Sequence, residues 1–342
     1  MIKIGILGGS GYTALELIKI LLQHPEVEIT CLTTRQETKL HVSEVHPQLA
    51  GKLDLRLLPL SANEVAEQCD CVFSCLPHAA SASAIHEIIA GGTRVIDLSA
   101  DYRIWDAELY QQWYQVTHPD PNRLGKVPYG LPELFRDKIR NSQVVANPGC
   151  YPTSAILAMA PLVRHAVVDP NSIIFDSKSG VSGAGRNPKL VTHYPECNES
   201  IAAYAVGQHR HTPEISQILG SLLTPDTQSN QMANVIFTPH LVPMDRGILT
   251  TGYARLAGSD FTAEDAMELF QKDYADEPFV QMVNKPPKTK DVTHTNGCHI
   301  CVQVVGDYII TLSVIDNLIK GASGAAVQNM NLMFGLNETT AL

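Results

Sequence analysis

Apolar positions alternate at the start of the chain and then change period. Ile2, Ile4 and Ile6 fall on every second residue, the run stops at Gly8-Gly9-Ser10-Gly11, and apolar residues recur at Leu15, Ile18, Leu21 and Leu22. The first pattern predicts a strand and the second one face of a helix. Residues 28–33 read as a second strand, 71–77 and 94–99 as two more with a helix over 79–90 between them, and 144–147 as another. Strands alternating with helices predict an α/β fold with a mostly parallel, doubly wound sheet.

The second half has a different pattern. Segments 172–180, 234–244, 247–256, 298–305 and 308–316 read as strands with few helices between them. Gly306-Asp307 predicts a tight hairpin. Thr262, with Asp265 three residues on, predicts a capped helix start. The tail from Asn317 is rich in small and apolar residues and reads as a closely packed helix. This half is an α+β arrangement with a mostly antiparallel sheet. No internal repeat or low-complexity segment interrupts either half.

The 342 residues suggest two domains at roughly 150 residues each. No apolar run approaches the roughly 20 residues of a membrane span. The first residues run straight into a strand with no signal-peptide pattern. Net charge is −10 with no basic stripe, which argues against nucleic acid or an anionic membrane as partner. Of the eight cysteines, Cys31, Cys69, Cys71, Cys75, Cys298 and Cys301 lie in apolar, strand-like runs and read as small core residues. Cys298 and Cys301 form a CxxC, but in a strand pattern and without a second pair, so no metal is expected. A reducing cytosol is the expected setting.

Gly8, Gly9, Ser10, Gly11, Tyr12, Thr13 and Ala14 form a G-x-x-G-x-x-A variant of the dinucleotide fingerprint, in which backbone N–H groups approach a pyrophosphate at a helix N-terminus. NAD sites usually carry an acidic residue at the end of the second strand. Here that strand ends in Thr33, Thr34 and Arg35, which suit a 2′-phosphate and favour NADP(H).

The segment Asn147-Pro148-Gly149-Cys150-Tyr151-Pro152 places a thiol at the mouth of a helix that is apolar nearly all round. Unpaired N–H groups and the helix dipole favour a thiolate there, and neighbouring N–H groups can hold an oxyanion. His209-Arg210-His211-Thr212-Pro213-Glu214 is the best proton partner, with Thr212 as a helix cap, both histidines on the preceding loop, and Glu214 close enough to orient an imidazole. The sequence leaves open which histidine acts. Nearness to the Thr212-Pro213 helix start favours His211. Residues 179–186, with Ser182, Gly183 and Arg186, form a glycine turn suited to a phosphate or the nicotinamide. Asp101 and Arg103 follow the carboxyl end of a parallel strand, where α/β sites lie.

The blocks GGSGYTALEL, DLSADYR, VPYGLPE, ANPGCYPT, SGVSGAGR, GQHRHTPEI, PHLVPMDRGI and NLIKGASGAAVQNMN follow one another along nearly the whole chain. Through them the chain resembles the N-acetyl-γ-glutamyl-phosphate reductase family (type 1) of the aspartate-semialdehyde dehydrogenase superfamily. Ser154 stands where that pattern leads one to expect glycine or alanine. The resemblance implies a Rossmann-type NADP-binding domain over 1–148 with a C-terminal helix 317–342, and a catalytic and oligomerisation domain over 149–316. It implies NADPH-dependent reduction of N-acetyl-γ-glutamyl phosphate to N-acetylglutamate 5-semialdehyde and phosphate, in arginine biosynthesis. Cys150 would be the acyl-accepting nucleophile, with His209, His211 and Glu214 as its proton machinery. Gly8, Ser10, Gly11, Tyr12, Thr13, Thr34, Arg35, Ser182, Gly183 and Asn317 would bind the cofactor, and Arg103, Asn147, Arg186 and Arg210 the substrate. The expected form is a cytoplasmic homotetramer, a dimer of dimers, acting on a small molecule. Two rivals remain: a lysine-pathway reductase with a carrier-linked substrate, and a nucleotide sensor on the same fold. The first would want a basic docking surface; the second would need neither Cys150 nor the histidine pair.

Overall fold

The computed structural model describes residues 1–223, 231–258 and 260–342. They form two compact units, Met1–Pro148 with Ala322–Leu342, and Gly149–Gly321.

The first unit holds six strands: β1 (Ile2–Leu7), β2 (Val27–Thr33), β3 (Leu57–Leu58), β4 (Cys71–Ser74), β5 (Arg94–Asp97) and β6 (Val144–Ala146). All pair in parallel in the order β3-β2-β1-β4-β5-β6. The order reverses beside β1, and ligands bind such sheets at that switch point, beyond the strands' carboxyl ends. One face buries Ile4, Ile6 and Ile96 under the helices Tyr12–Leu21 and Gly324–Met333, through Leu17, Ile18, Val327 and Met330. The other buries Val72 and Val95 under Ile85 and Ile88 of the helix Ser81–Ala90.

Some elements are shorter than their sequence pattern. β5 stops at Asp97 because that carboxylate takes the N–H and hydroxyl of Ser99 and turns the chain. The helix Ser81–Ala90 starts at Ser81 rather than 79. Ala79 adopts φ 64°, and the Asp101 carboxylate accepts from the N–H groups of Ala79, Ser81 and Ala82. Asp101 is thus a helix cap. The tail does not form one helix from Asn317. A π-turn, Ile319–Ser323, comes first, with Gly321 N–H reaching Asp316 O at 2.9 Å, and the α-helix follows. Residues 317–321, expected with the nucleotide domain, belong to the second unit. The Asn317 amide accepts from Gly247 N–H and donates to Ser182 Oγ, and both partners lie in that unit.

The second unit carries β7 (Ile173–Ser179), β8 (Ala202–Ala203), β9 (Val235–Leu241), β10 (Ile248–Arg255), β11 (Val280–Met282), β12 (Cys298–Val305) and β13 (Tyr308–Ile315). Their order is β11-β12-β13-β10-β7-β9-β8. The sheet is mixed, antiparallel except for β11–β12 and β7–β9. Gly306, at φ 59°, makes the β12–β13 hairpin turn. Thr262 and Asp265 form the capping box that opens the helix Ala263–Asp273. Among the described residues no helix is long and apolar enough to cross a membrane.

The helix Cys150–Arg164 packs on this sheet with Tyr151–Val163 buried all round. Ser154 is fully buried, its hydroxyl meeting Thr250 and Ser313, so a small polar residue suits that position. Pro161 has no N–H and frees the carbonyl four residues back. That carbonyl, on Leu157, accepts instead from Tyr274 O–H at 2.7 Å. Tyr274→Phe would leave it buried and unpaired. We expect a loss of about 1–3 kcal/mol in stability, read from chemical denaturation, with a normal m-value.

Candidate active site

Cys150 is the first residue of its helix, behind the N-cap Gly149, and is half-buried. The N-cap is a glycine and offers no capping side chain of its own. The Gly149 N–H donates to Glu214 Oε1 at 2.9 Å. Glu214 is fully buried in the first turn of another helix, His211–Gly220. One carboxylate therefore serves two positive helix ends, where negative charge is favoured. A Cβ on Gly321 would lie 2.8 Å from Cys150 Cβ, so only glycine lets the π-turn pass Cys150.

The histidine segment differs from the sequence reading in one respect. The second helix opens at His211, with Arg210 as N-cap, so His211 lies on the helix and only His209 precedes it. Thr212 is not the cap, and its buried hydroxyl has no hydrogen-bond partner. His209 Nδ1 accepts from His211 N–H at 3.1 Å, which leaves the ring proton of the neutral form on Nε2. The two rings stand edge to face, 4.8 Å apart.

Both rings reach the residue next to the thiol. Tyr151 lies 5.6 Å from His209 and 6.0 Å from His211, centroid to centroid, and Phe237 and Tyr204 complete the cluster. Tyr204 O–H donates to Tyr151 Oη at 3.1 Å, and Tyr151 O–H to His240 O at 3.3 Å. Burial holds both phenols protonated; that of Tyr204 is pushed up to about 12 and that of Tyr151 beyond it. Burial, then the Arg210 charge, pushes His209 down to about 4. The sequence reading missed Tyr151, Tyr204, Phe237 and Gly321. Adjacency to Cys150 marks Tyr151, but nothing local marks the other three.

The remaining candidates divide by unit. In the second, Ser182, Gly183 and Asn317 come together. Asn317 Nδ2 donates to Ser182 Oγ at 3.0 Å, and a Cβ on Gly183 would sit 3.7 Å from that nitrogen. Arg186 and Arg210 are exposed. In the first unit, Asn147 is fully buried and its amide is spent inside the protein. It donates to Ala322 O and accepts from Asn329. Buried Arg103 donates to Asn147 O and Leu98 O, both at 2.8 Å.

The glycine loop fits a dinucleotide. Gly8 has φ 75°, and a Cβ there would strike Cys75 O at 2.9 Å. Thr33 holds the loop, its carbonyl accepting from Gly9 N–H and its hydroxyl from Gly8 N–H. Gly11 is the N-cap of Tyr12–Leu21 without a capping side chain, and a Cβ on it would meet nothing within 4 Å. This open cradle at a helix N-terminus suits a pyrophosphate. Ser10, Tyr12 and Arg35 are exposed, while Thr13 and Thr34 are half-buried.

The fold and this site define a semialdehyde dehydrogenase. Residues 3–142 match the model of the semialdehyde dehydrogenase NAD binding domain and 150–317 that of its dimerisation domain, so the cofactor is a nicotinamide dinucleotide. The chain belongs to the N-acetyl-gamma-glutamyl-phosphate reductase family. It is 50% identical to the reductase of that name from Rhodopirellula baltica, over 100% of this chain and 98% of that one. With the one from Symbiobacterium thermophilum it shares 47% identity, over 100% and 97%. Among solved structures, aspartate semialdehyde dehydrogenase II from Vibrio cholerae matches with a TM-score of 0.72 at 16% identity, over 98% of each chain. The enzyme from Candida albicans, solved with NADP, matches at 0.72 and 15%, again over 98% of each. These two show the shared fold.

With its pKa near 4, His209 should stay neutral at pH 7. Its folded pKa lies below the ordinary value of about 6.5. The associated stability is then full above pH 6.5 and falls away as pH drops from there toward 4. The ring-proton NMR titration of His209, assigned by comparison with His209→Asn, checks this. A midpoint above 6 would contradict it.

Proposed function

We propose that this chain reduces N-acetyl-γ-glutamyl phosphate to N-acetylglutamate 5-semialdehyde and phosphate in arginine biosynthesis, with Cys150 as the nucleophile. The observation that carries this reading is the thiol at the N-terminus of a buried helix, whose N-cap Gly149 is held by Glu214 and whose second residue, Tyr151, meets both histidine rings. The full-length identity to reductases of that name supports the substrate.

In this reading the Cys150 thiolate attacks the acyl carbon, and the bond from that carbon to the phosphate oxygen breaks. The positive N-terminal end of the helix Cys150–Arg164 favours the developing oxyanion. A nicotinamide dinucleotide, held by the glycine loop of residues 8–11, would supply the hydride that reduces the resulting thioester. The tetrahedral alkoxide then collapses, the carbon–sulfur bond breaks, and the thiolate is restored. His211 is the acid–base group. His209 is held neutral with Nδ1 spent on the His211 amide, so it serves better as a donor to substrate through Nε2–H. The exposed Arg186 and Arg210 are candidates for the substrate's charged groups.

We take NADPH as the preferred dinucleotide, since Arg35 stands exposed at the end of β2, beside Thr34. We also propose a homotetramer built from dimers, in the cytoplasm. The second unit matches a dimerisation domain, and its sheet shows an apolar row. Ile236, Ile174, Tyr253 and Ile310 lie side by side across four strands, the first three exposed. A second copy would cover it.

The central test is Cys150→Ser. It should abolish turnover and leave dinucleotide binding unchanged, measured by calorimetry, because a hydroxyl stays protonated at neutral pH. His211→Asn should lower kcat by roughly 10²–10⁴-fold, whereas His209→Asn should act mainly on KM. The reverse pattern would exchange the two roles.

The cofactor preference is tested separately. Arg35→Ala should raise KM for NADPH much more than for NADH. Equal effects in steady-state kinetics would remove Arg35 from the 2′-phosphate site.

A further inference from the structure

Two cysteines of the first unit meet across a strand that separates them. Cys31 is on β2 and Cys69 lies in the turn before β4, while β1 runs between those strands. Their sulfurs are nevertheless 3.5 Å apart. Two features of β1 and β2 make this possible. The β1–β2 register shifts between Ile4 and Gly5, so that Ile4 pairs with Ile29 and Gly5 with Cys31, leaving Thr30 as the extra residue. A bulge of this kind re-aims the side chain that follows it. Gly5 then supplies the space. A Cβ there would fall 2.8 Å from Cys69 Sγ and 3.1 Å from Cys31 Sγ. Thr30 Oγ1 lies 3.4 Å from Cys69 Sγ.

We propose that Cys31 and Cys69 are a reversible thiol–disulfide couple, a redox modification site of the nucleotide-binding unit distinct from the reactive Cys150. The sulfurs must close from 3.5 Å to about 2.05 Å. Cys69 can make that movement, because it sits in a turn rather than a strand. The two thiols are also unequal. Hydrogen bonding from Cys31, with help from Thr30, pulls the Cys69 thiol down, while the same contact and burial push that of Cys31 up. Cys69 also lies outside any strand and within 3.4 Å of Thr30 Oγ1, whereas Cys31 is fixed within β2, so Cys69 is the attacking sulfur and Cys31 the resolving one. With hydrogen peroxide as oxidant, the Cys69 thiolate attacks one oxygen, the O–O bond breaks, and hydroxide leaves. The sulfur, now a sulfenic acid, is attacked by Cys31; the S–O bond breaks, and the oxygen departs as water with the Cys31 proton. In sum two thiols lose two hydrogens and one peroxide becomes two waters.

The disulfide would act on the nucleotide loop through β2. Cys31 is two residues before Thr33, whose carbonyl and hydroxyl hold the Gly9 and Gly8 N–H groups. Cys69 makes most of the closing movement, and the bond then ties β2 to it, which constrains the residue that fixes the glycine turn.

The test uses the full chain carrying Cys150→Ser, which removes the competing reactive thiol. It is treated with hydrogen peroxide, digested without reduction and mapped by mass spectrometry. The expected result is one linked species of the Cys31 and Cys69 peptides, lighter than their sum by two hydrogens and released by dithiothreitol. Calorimetry on the intact protein should show dinucleotide affinity weakened on the order of fivefold, at the low end of ordinary coupling between sites, and restored on reduction. Adding Cys31→Ser should abolish both effects. Without its resolving thiol, Cys69 should pass on to the sulfinic acid. Unlinked peptides after oxidation, or Cys69 overoxidised with Cys31 present, would overturn the couple. A link with unchanged affinity would overturn its coupling to the loop.

Discussion

The candidate active site depends on where one carboxylate sits. Glu214 occupies the first turn of its own helix and accepts from the N-cap of the helix that opens with Cys150. Both helix ends are positive, and a buried carboxylate there is stabilised by each. A buried hydrogen bond to a charged group is worth about 1.5–3 kcal/mol. Its greater effect is geometric. The helix carrying His211 and the helix carrying Cys150 are joined at their first residues, so a shift of one carries the other with it. The imidazoles and the thiol keep their relation without any long side chain having to hold them.

The aromatic cluster around His209 adds an electrostatic constraint to this geometric one. A histidine packed among Tyr151, Tyr204 and Phe237 has little water to stabilise its cation. Arg210 next to it disfavours the cation further. The two histidines, two residues apart in sequence, thereby have different surroundings. His209 is kept neutral, and its Nδ1 accepts from the backbone N–H of His211. Division of labour between like residues through their surroundings is a common device in acid–base sites.

Much of this was legible in the chain because the relevant signals are local. The glycine loop, the Asn-Pro-Gly before Cys150 and the Thr262–Asp265 box each declare a backbone conformation within a few residues. The signals that failed are those set by distant partners. Asp101 shortens a helix that begins about twenty residues earlier, and no window around 79–90 contains that information. The partners of Asn147, Asn329 and Ala322, are equally remote in sequence. Pro213 suggested a helix cap at Thr212, whereas the helix had already begun at His211, since proline is tolerated throughout a first turn. The π-turn before the tail helix has no sequence period of its own. It follows from the need to pass Gly321 against Cys150.

The chain leaves the first unit at Pro148 and returns to it at Ala322. This has a consequence for the order in which the protein can be made. Domains commonly fold as units, N-terminal first, as the chain leaves the ribosome. Here the N-terminal sheet lacks the helix Gly324–Met333 until the whole inserted unit has been made, although Ala326, Val327 and Met330 belong to its core. The inserted unit is complete before then. The half that begins first must therefore finish last. Through most of its synthesis it holds an apolar sheet face open, which makes it the part of the nascent protein with most need of a chaperone.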